Sequence, residues 1–143
     1  METLVLDASV GIKWFFEEEE SDKAALLMDA IEKKAIEVMV PEIFYPEFAS
    51  TCWKKVKKKV ATLAWAIEAL DRVTALSLKK YSDFELADVA LENTLRYKIS
   101  IYDALYLALA EIYAVPLITA DEFLLKACRG RFDFIEPLSE VHF

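Results

Sequence analysis

One histidine, two glycines and four prolines are all that this chain of 143 residues contains of those types. Each shortage removes a class of chemistry or of fold. A single histidine, His142, second from the end, cannot build a Ser-His-Asp or Cys-His site, nor two-histidine ribonuclease chemistry. Two glycines leave no G-x-G-x-x-G turn and no Walker A loop. So little glycine and proline also argues against a sandwich or barrel with many tight turns. Cys52 and Cys128 stand apart, with no C-x-x-C pair and no histidine near them in sequence, which disfavours a structural zinc site or a disulfide framework. Buried free thiols in a reducing cytoplasm are the expectation. No basic, cleavable leader opens the sequence. The most apolar stretch, 104–120, is broken by Glu111 and Pro116, so it reads as a buried helix and a buried strand, not a membrane span. Cationic side chains are also scarce: 17 Lys and Arg against 25 Asp and Glu give a net charge of −8. That is a poor match to a non-specific nucleic-acid binder, although a local acid cluster holding metal would itself make a nuclease look acidic.

What is abundant is apolar surface, 56% of the chain, which excludes disorder and supports a sizeable core. The length fits a single domain spanning 1–143. Short strand-forming runs are expected at 3–6, 37–40, 73–78 (the weakest), 116–119 and 134–136. Between them lie helical patterns at 9–16, 22–34 capped by Ser21, 42–59 with Pro46 in its first turn or at a kink, and 63–72 capped by Thr62. Further helices are expected from Ser82 or Asp83 to Tyr97, from Ser100 to Tyr113, and over 121–128. This alternation predicts an α/β fold, a parallel sheet with helices on both faces.

Most of the acids must be solvated, so the informative ones are those in apolar company. Asp103 lies in Ile101-Tyr102-Asp103-Ala104-Leu105-Tyr106-Leu107, where a lone buried carboxylate is very costly unless paired or bound to metal. The plain alternative is a first-turn acid stabilised by free backbone N–H groups in a helix that Ser100 caps. Asp7 ends the first strand and Asp121 follows the fourth, at the carboxyl ends where open parallel sheets bind ligands. Either could instead be a helix cap. Glu47, hemmed in by aromatic and small residues, is modestly favoured over Glu42, which faces another side of the helix. Carboxylate ligands suit Mg²⁺ or Mn²⁺.

In order and spacing these segments resemble the PIN-domain ribonucleases, in particular the VapC-type toxins of prokaryotic toxin–antitoxin pairs. Leu6-Asp7-Ala8-Ser9 is similar to the family's opening strand with its first acid and serine. Pro41 with Glu47 resembles the helix that supplies its glutamate, Tyr102 to Ala110 its third-acid helix, and Leu117 to Asp121 the strand end with its fourth acid. Ser50 departs from the pattern, standing where many members have asparagine. The resemblance implies a three-layer α/β/α fold with strand order 3-2-1-4-5. It also implies Asp7, Glu47, Asp103 and Asp121 converging on Mg²⁺, with Mn²⁺ as substitute. RNA cleavage, frequent homodimers and a small antitoxin that blocks the site are implied as well. Ser9 or Thr119 could hold a metal-bound water. Tyr106, Tyr113, Trp14 and Phe15 are more aromatic surface than one core need take, which also suggests a homodimer.

Two other functions compete. A phosphatase of the haloacid dehalogenase type needs D-x-D after the first strand, and here the sequence reads Asp7-Ala8-Ser9. A non-catalytic acidic interaction module would not need four intact acids. Of the dense basic cluster at 54–59, Lys54 and Lys58 follow Glu47 at i+7 and i+11 on one helical stripe. At 1.5 Å per residue they fall about 10 and 16 Å from it along the axis, a suitable reach for the flanking phosphates of an RNA.

Overall fold

Residues 2–142 are described by a computed structural model, in which short parallel strands alternate with helices. In chain order the elements are β1 (Glu2–Leu6), α1 (Ala8–Gly11), a 3-10 turn (Ile12–Trp14), α2 (Ser21–Glu32), β2 (Ile36–Pro41), α3 (Phe44–Lys57) and α4 (Leu63–Ala75). There follow β3 (Lys79–Tyr81), α5 (Asp83–Tyr97), α6 (Ile101–Tyr113), β4 (Leu117–Thr119), α7 (Glu122–Cys128), β5 (Ile135–Pro137) and a second 3-10 turn (Leu138–Glu140). The sheet order is β3-β2-β1-β4-β5 with every neighbouring pair parallel, as the resemblance implies.

Burial on both faces explains why β1 reads as a continuous apolar run: Leu4, Val5 and Leu6 are all buried. β1 pairs with β2 on one side and β4 on the other, and order reverses between β1 and β4, so the crevice at their carboxyl ends is the topological switch point. α6 packs on β1, β2 and β4, and its buried run Ala104–Ala110 accounts for the most apolar part of the sequence.

Three expectations need correction. The third strand is Lys79–Tyr81, not 73–78, because Val73 continues the buried helical stripe of Ala66 and Ala69 to the end of α4. β3 carries little hydrophobic pattern of its own. It is an edge strand held by backbone pairing to β2, with exposed lysines that discourage further strand addition. Ser21 does not cap α2; Glu20, at φ 66°, occupies that position. The Ser21 hydroxyl instead accepts from the Glu18 N–H and donates to the Phe16 carbonyl, fixing the preceding loop. Finally, Tyr106 is fully buried and Trp14 and Phe15 pack against the core, so of the four surplus aromatics only Tyr113 stays half exposed, tilted against Tyr81. Both cysteines are free and buried. Among the described residues no helix is long and apolar enough to cross a membrane.

Candidate metal centre

Asp7 is the first residue beyond the central strand, and its N–H still reaches across to the Ile118 carbonyl of β4 at 3.1 Å. It precedes α1, yet its side chain makes no capping bond. Oδ2 instead accepts the Ser9 hydroxyl at 2.8 Å and the Thr119 hydroxyl at 2.7 Å. The residue is only 5% exposed, and burial raises its carboxyl above the usual range; the two hydroxyls oppose that rise, and Asp121 adds to it.

Both hydroxyl oxygens are engaged on their acceptor side as well. Ser9 Oγ accepts the Ala120 N–H at 3.1 Å, and Thr119 Oγ1 accepts the Asp121 N–H at 3.0 Å. These side chains orient Asp7 and stitch β1 to the β4–α7 turn. Asp121 is a cap after all, its Oδ1 taking the Phe123 and Leu124 N–H groups at 2.9 and 3.3 Å. Capping uses one of its oxygens, while its charge still acts on Asp7 and Asp103.

Asp103 is the third residue of α6, and its N–H bonds to Ser100 Oγ at 3.1 Å, as an ordinary capped first turn requires. A first-turn acid is usually stabilised by the helix dipole. Here the opposite wins. Burial, then Asp7 and Asp121, push Asp103 up to about 6, against the Ser100 hydrogen bond.

Glu47 comes from α3, whose first turn tolerates Pro46 because no N–H is needed there. Phe44 and Phe48, both fully buried and stacked at 6.3 Å, lock this helix onto the core. α1 passes so close that a Cβ at Gly11 would lie 2.9 Å from the Phe44 ring, which is why that position is glycine. Glu47 Oε1 accepts the Tyr106 hydroxyl at 2.7 Å. Burial, opposed by the Tyr106 hydrogen bond and reinforced by Asp7, Asp103 and Asp83, brings Glu47 up to about 7. Tyr106 was not expected at the site. Its place three residues after Asp103, the spacing that puts both on one face of α6, was the available signal.

Glu42 lies outside this group. Its Oε1 accepts the Asp83 N–H at 3.2 Å while Asp83 Oδ1 accepts the Ile43 N–H at 3.2 Å, a reciprocal clasp between the starts of α3 and α5. At the far end of α3, Lys55 pairs with Glu18, whereas Lys54 and Lys58 form no ion pair among the described residues. Ser50 is exposed.

The four acids thus arrive from β1, α3, α6 and the β4–α7 turn and act on one another electrostatically. Among the described residues no three acid, thiol or imidazole side chains stand close enough to enclose an ion by themselves. The donor set is all oxygen, and Mg²⁺ usually takes only one or two carboxylates directly and keeps several waters, so an acid cluster that does not enclose an ion by itself still fits it.

A family model for the PIN domain matches residues 4–130. The chain belongs to the PIN domain family. Compared with the curated proteins by sequence, this PIN domain has no significant match. Among solved structures it is similar to PAE2754 from Pyrobaculum aerophilum, with 23% identity, a TM-score of 0.67, and coverage of 96% of this chain and 92% of that one. A toxin–antitoxin complex from Klebsiella pneumoniae matches at 17% identity and TM-score 0.62 over 96% and 99%. VapC20 of Mycobacterium tuberculosis, described as a sarcin–ricin loop cleaving toxin, matches at 14% and 0.66 over 87% and 95%. At these identities the likeness establishes the fold. The haloacid dehalogenase alternative gains no support from any of them.

Proposed function

We propose that this PIN domain, a single unit over 1–143, is a Mg²⁺- or Mn²⁺-dependent endoribonuclease and the toxin of a VapBC-type toxin–antitoxin pair. The observation that carries the proposal is that Asp7, Glu47, Asp103 and Asp121 act on one another at the switch-point crevice with no lysine or arginine paired to any of them among the described residues. A structural cluster of acids would carry its own counter-charge.

The four carboxylates would hold the cation, which when bound neutralises phosphate charge and makes water a stronger nucleophile. The chain's own residues do the rest. Ser9 and Thr119 fix the Asp7 carboxylate, and the capping bonds of Asp121 fix its orientation. Hydrolysis on such a site leaves 5′-phosphate and 3′-hydroxyl ends. Lys54 and Lys58, free of ion pairs among the described residues, would guide flanking phosphates past an otherwise repelling acidic surface.

Two apolar surfaces support protein partners. A groove of about 160 Å³ between α3 and α4, lined by Cys52, Trp53, Val56, Leu63, Ile67 and Leu70, suits an antitoxin segment. On α5, exposed Phe84, Leu91 and Leu95 follow one another at helical spacing and suit the second copy of a homodimer. With no candidate spanning helix among the described residues, the proposed location is the cytoplasm.

The deciding experiment replaces Asp103 with Asn. Mn²⁺ binding and RNA cleavage should both be lost while circular dichroism keeps the native signature. Full cleavage by that variant would sink the assignment, and no cleavage by the wild type with any divalent ion would leave an acidic interaction module.

A further inference from the structure

Tyr106 is fully buried, and a buried phenol needs a partner for its hydroxyl. Its O–H donates to Glu47 Oε1 at 2.7 Å. Tyr106 shares α6 with Asp103, so this one bond ties α3 to α6, the sources of Glu47 and Asp103.

Glu47 has need of such a connection. The charges acting on it, those of Asp7, Asp103 and Asp83, are all of its own sign and favour its swinging away. A glutamate also has three side-chain torsions to restrain, more than any aspartate in the group. The Tyr106 hydroxyl is the side-chain hydrogen bond that holds it. We propose that Tyr106 is a positioning residue whose hydroxyl keeps the Glu47 carboxylate inside the acid cluster, ready for a divalent cation; this rests on the metal site proposed above. The ring fills the core and the hydroxyl sets the ligand, so the two roles separate in one substitution.

Tyr106→Phe keeps the ring and deletes the hydrogen bond. Outer partners of metal ligands are worth about 10- to 100-fold in metal affinity. Mn²⁺ binding by the RNA-free protein, followed by electron paramagnetic resonance, should weaken about tenfold, with the unfolding temperature within a few degrees of wild type. In a Glu47→Ala background the same change should cost no further Mn²⁺ affinity, because nothing remains for the hydroxyl to hold. Wild-type Mn²⁺ affinity in Tyr106→Phe, or an equal further loss in the Glu47→Ala background, overturns the positioning role. Asp103→Asn, run alongside, separates the two levels. If it loses Mn²⁺ while Tyr106→Phe keeps it, only the positioning role fails. If it too binds Mn²⁺ as wild type does, the metal site fails and the positioning role with it.

Discussion

At its first turn α3 presents Glu47 to Asp7, Asp103 and Asp83, while at its last turns it presents Lys55 to Glu18. Both glutamates are part-buried, and burial by itself would raise both. Glu18 nevertheless ends lowered, because Lys55 and then Lys13 outweigh its desolvation. Glu47 ends at about 7, because it meets only acids and one phenol. Desolvation acts alike at the two ends; the placement of lysine decides the outcome. One end of the helix is electrostatically complete, and the other is missing a positive charge.

The largest expected effect comes from making the complete end incomplete. Lys55→Met leaves Glu18 with Lys13 alone in a loop also pinned by the Trp65 indole N–H on the Phe15 carbonyl. Destabilisation of about 2 kcal/mol is expected in urea titration, as for a partly buried charge losing its main partner. Mn²⁺ affinity should stay near wild type, since the change is confined to the other end of α3.

A smaller effect concerns pH. Glu47 and Asp103 both titrate higher folded than unfolded, so the native state binds more protons between their unfolded values, 4.5 and 3.8, and about 7 and about 6. Stability of the metal-free protein must therefore fall as pH rises through that window and level off above it. Glu18 has the opposite sign: its stabilisation is present above its unfolded value of 4.5 and lost as pH falls below it. Thermal unfolding from about pH 5 to 8 should show the decline, Asp103→Asn should flatten it by on the order of 1 kcal/mol after screening, and added Mn²⁺ should reverse it. A flat profile in wild type would mean that neither burial nor the neighbouring acids raise Glu47 and Asp103.

The smallest effect tests the lysines that Glu18 leaves unpaired. Lys54→Glu with Lys58→Glu should reduce the salt dependence of RNA binding by roughly 0.7 in log–log slope for each phosphate no longer neutralised. Metal affinity should hardly change. An unaltered slope would return both lysines to plain solvated surface.

Wherever burial was two-sided, the fold could be read from the residues alone. Leu4-Val5-Leu6 and Ala104–Ala110 announce a buried strand and a buried helix because nothing polar but the Tyr106 hydroxyl interrupts them. β3 was misplaced because an edge strand held by backbone pairing writes no hydrophobic pattern, and the visible apolar residues before it belong to α4. Asp103 was legible through its incongruous neighbours, and Asp7 and Asp121 through their position after strands. The hydrogen bonds that organise them were not. Nothing in Ser9, Thr119 or Tyr106 by residue type reveals that a partner about a hundred residues away, or one on another helix, will share the proton. The Glu42–Asp83 clasp was hidden for the same reason: it joins two helix starts that adjoin only once β2 and β3 are paired.

The station of Asp7 on the central strand also has a consequence in time. Its own amide and that of Val5 bond to carbonyls of the β4 segment, inside a sheet covered on both faces. Amides so placed exchange with water only when the whole domain opens, whereas helix ends and loop turns open far more often. Asp7 therefore keeps its position for as long as the molecule stays folded. The acids on helix starts take their permanence from packing instead, Glu47 from the buried Phe44 and Phe48 of α3 and Asp103 from the buried run Ala104–Ala110 of α6.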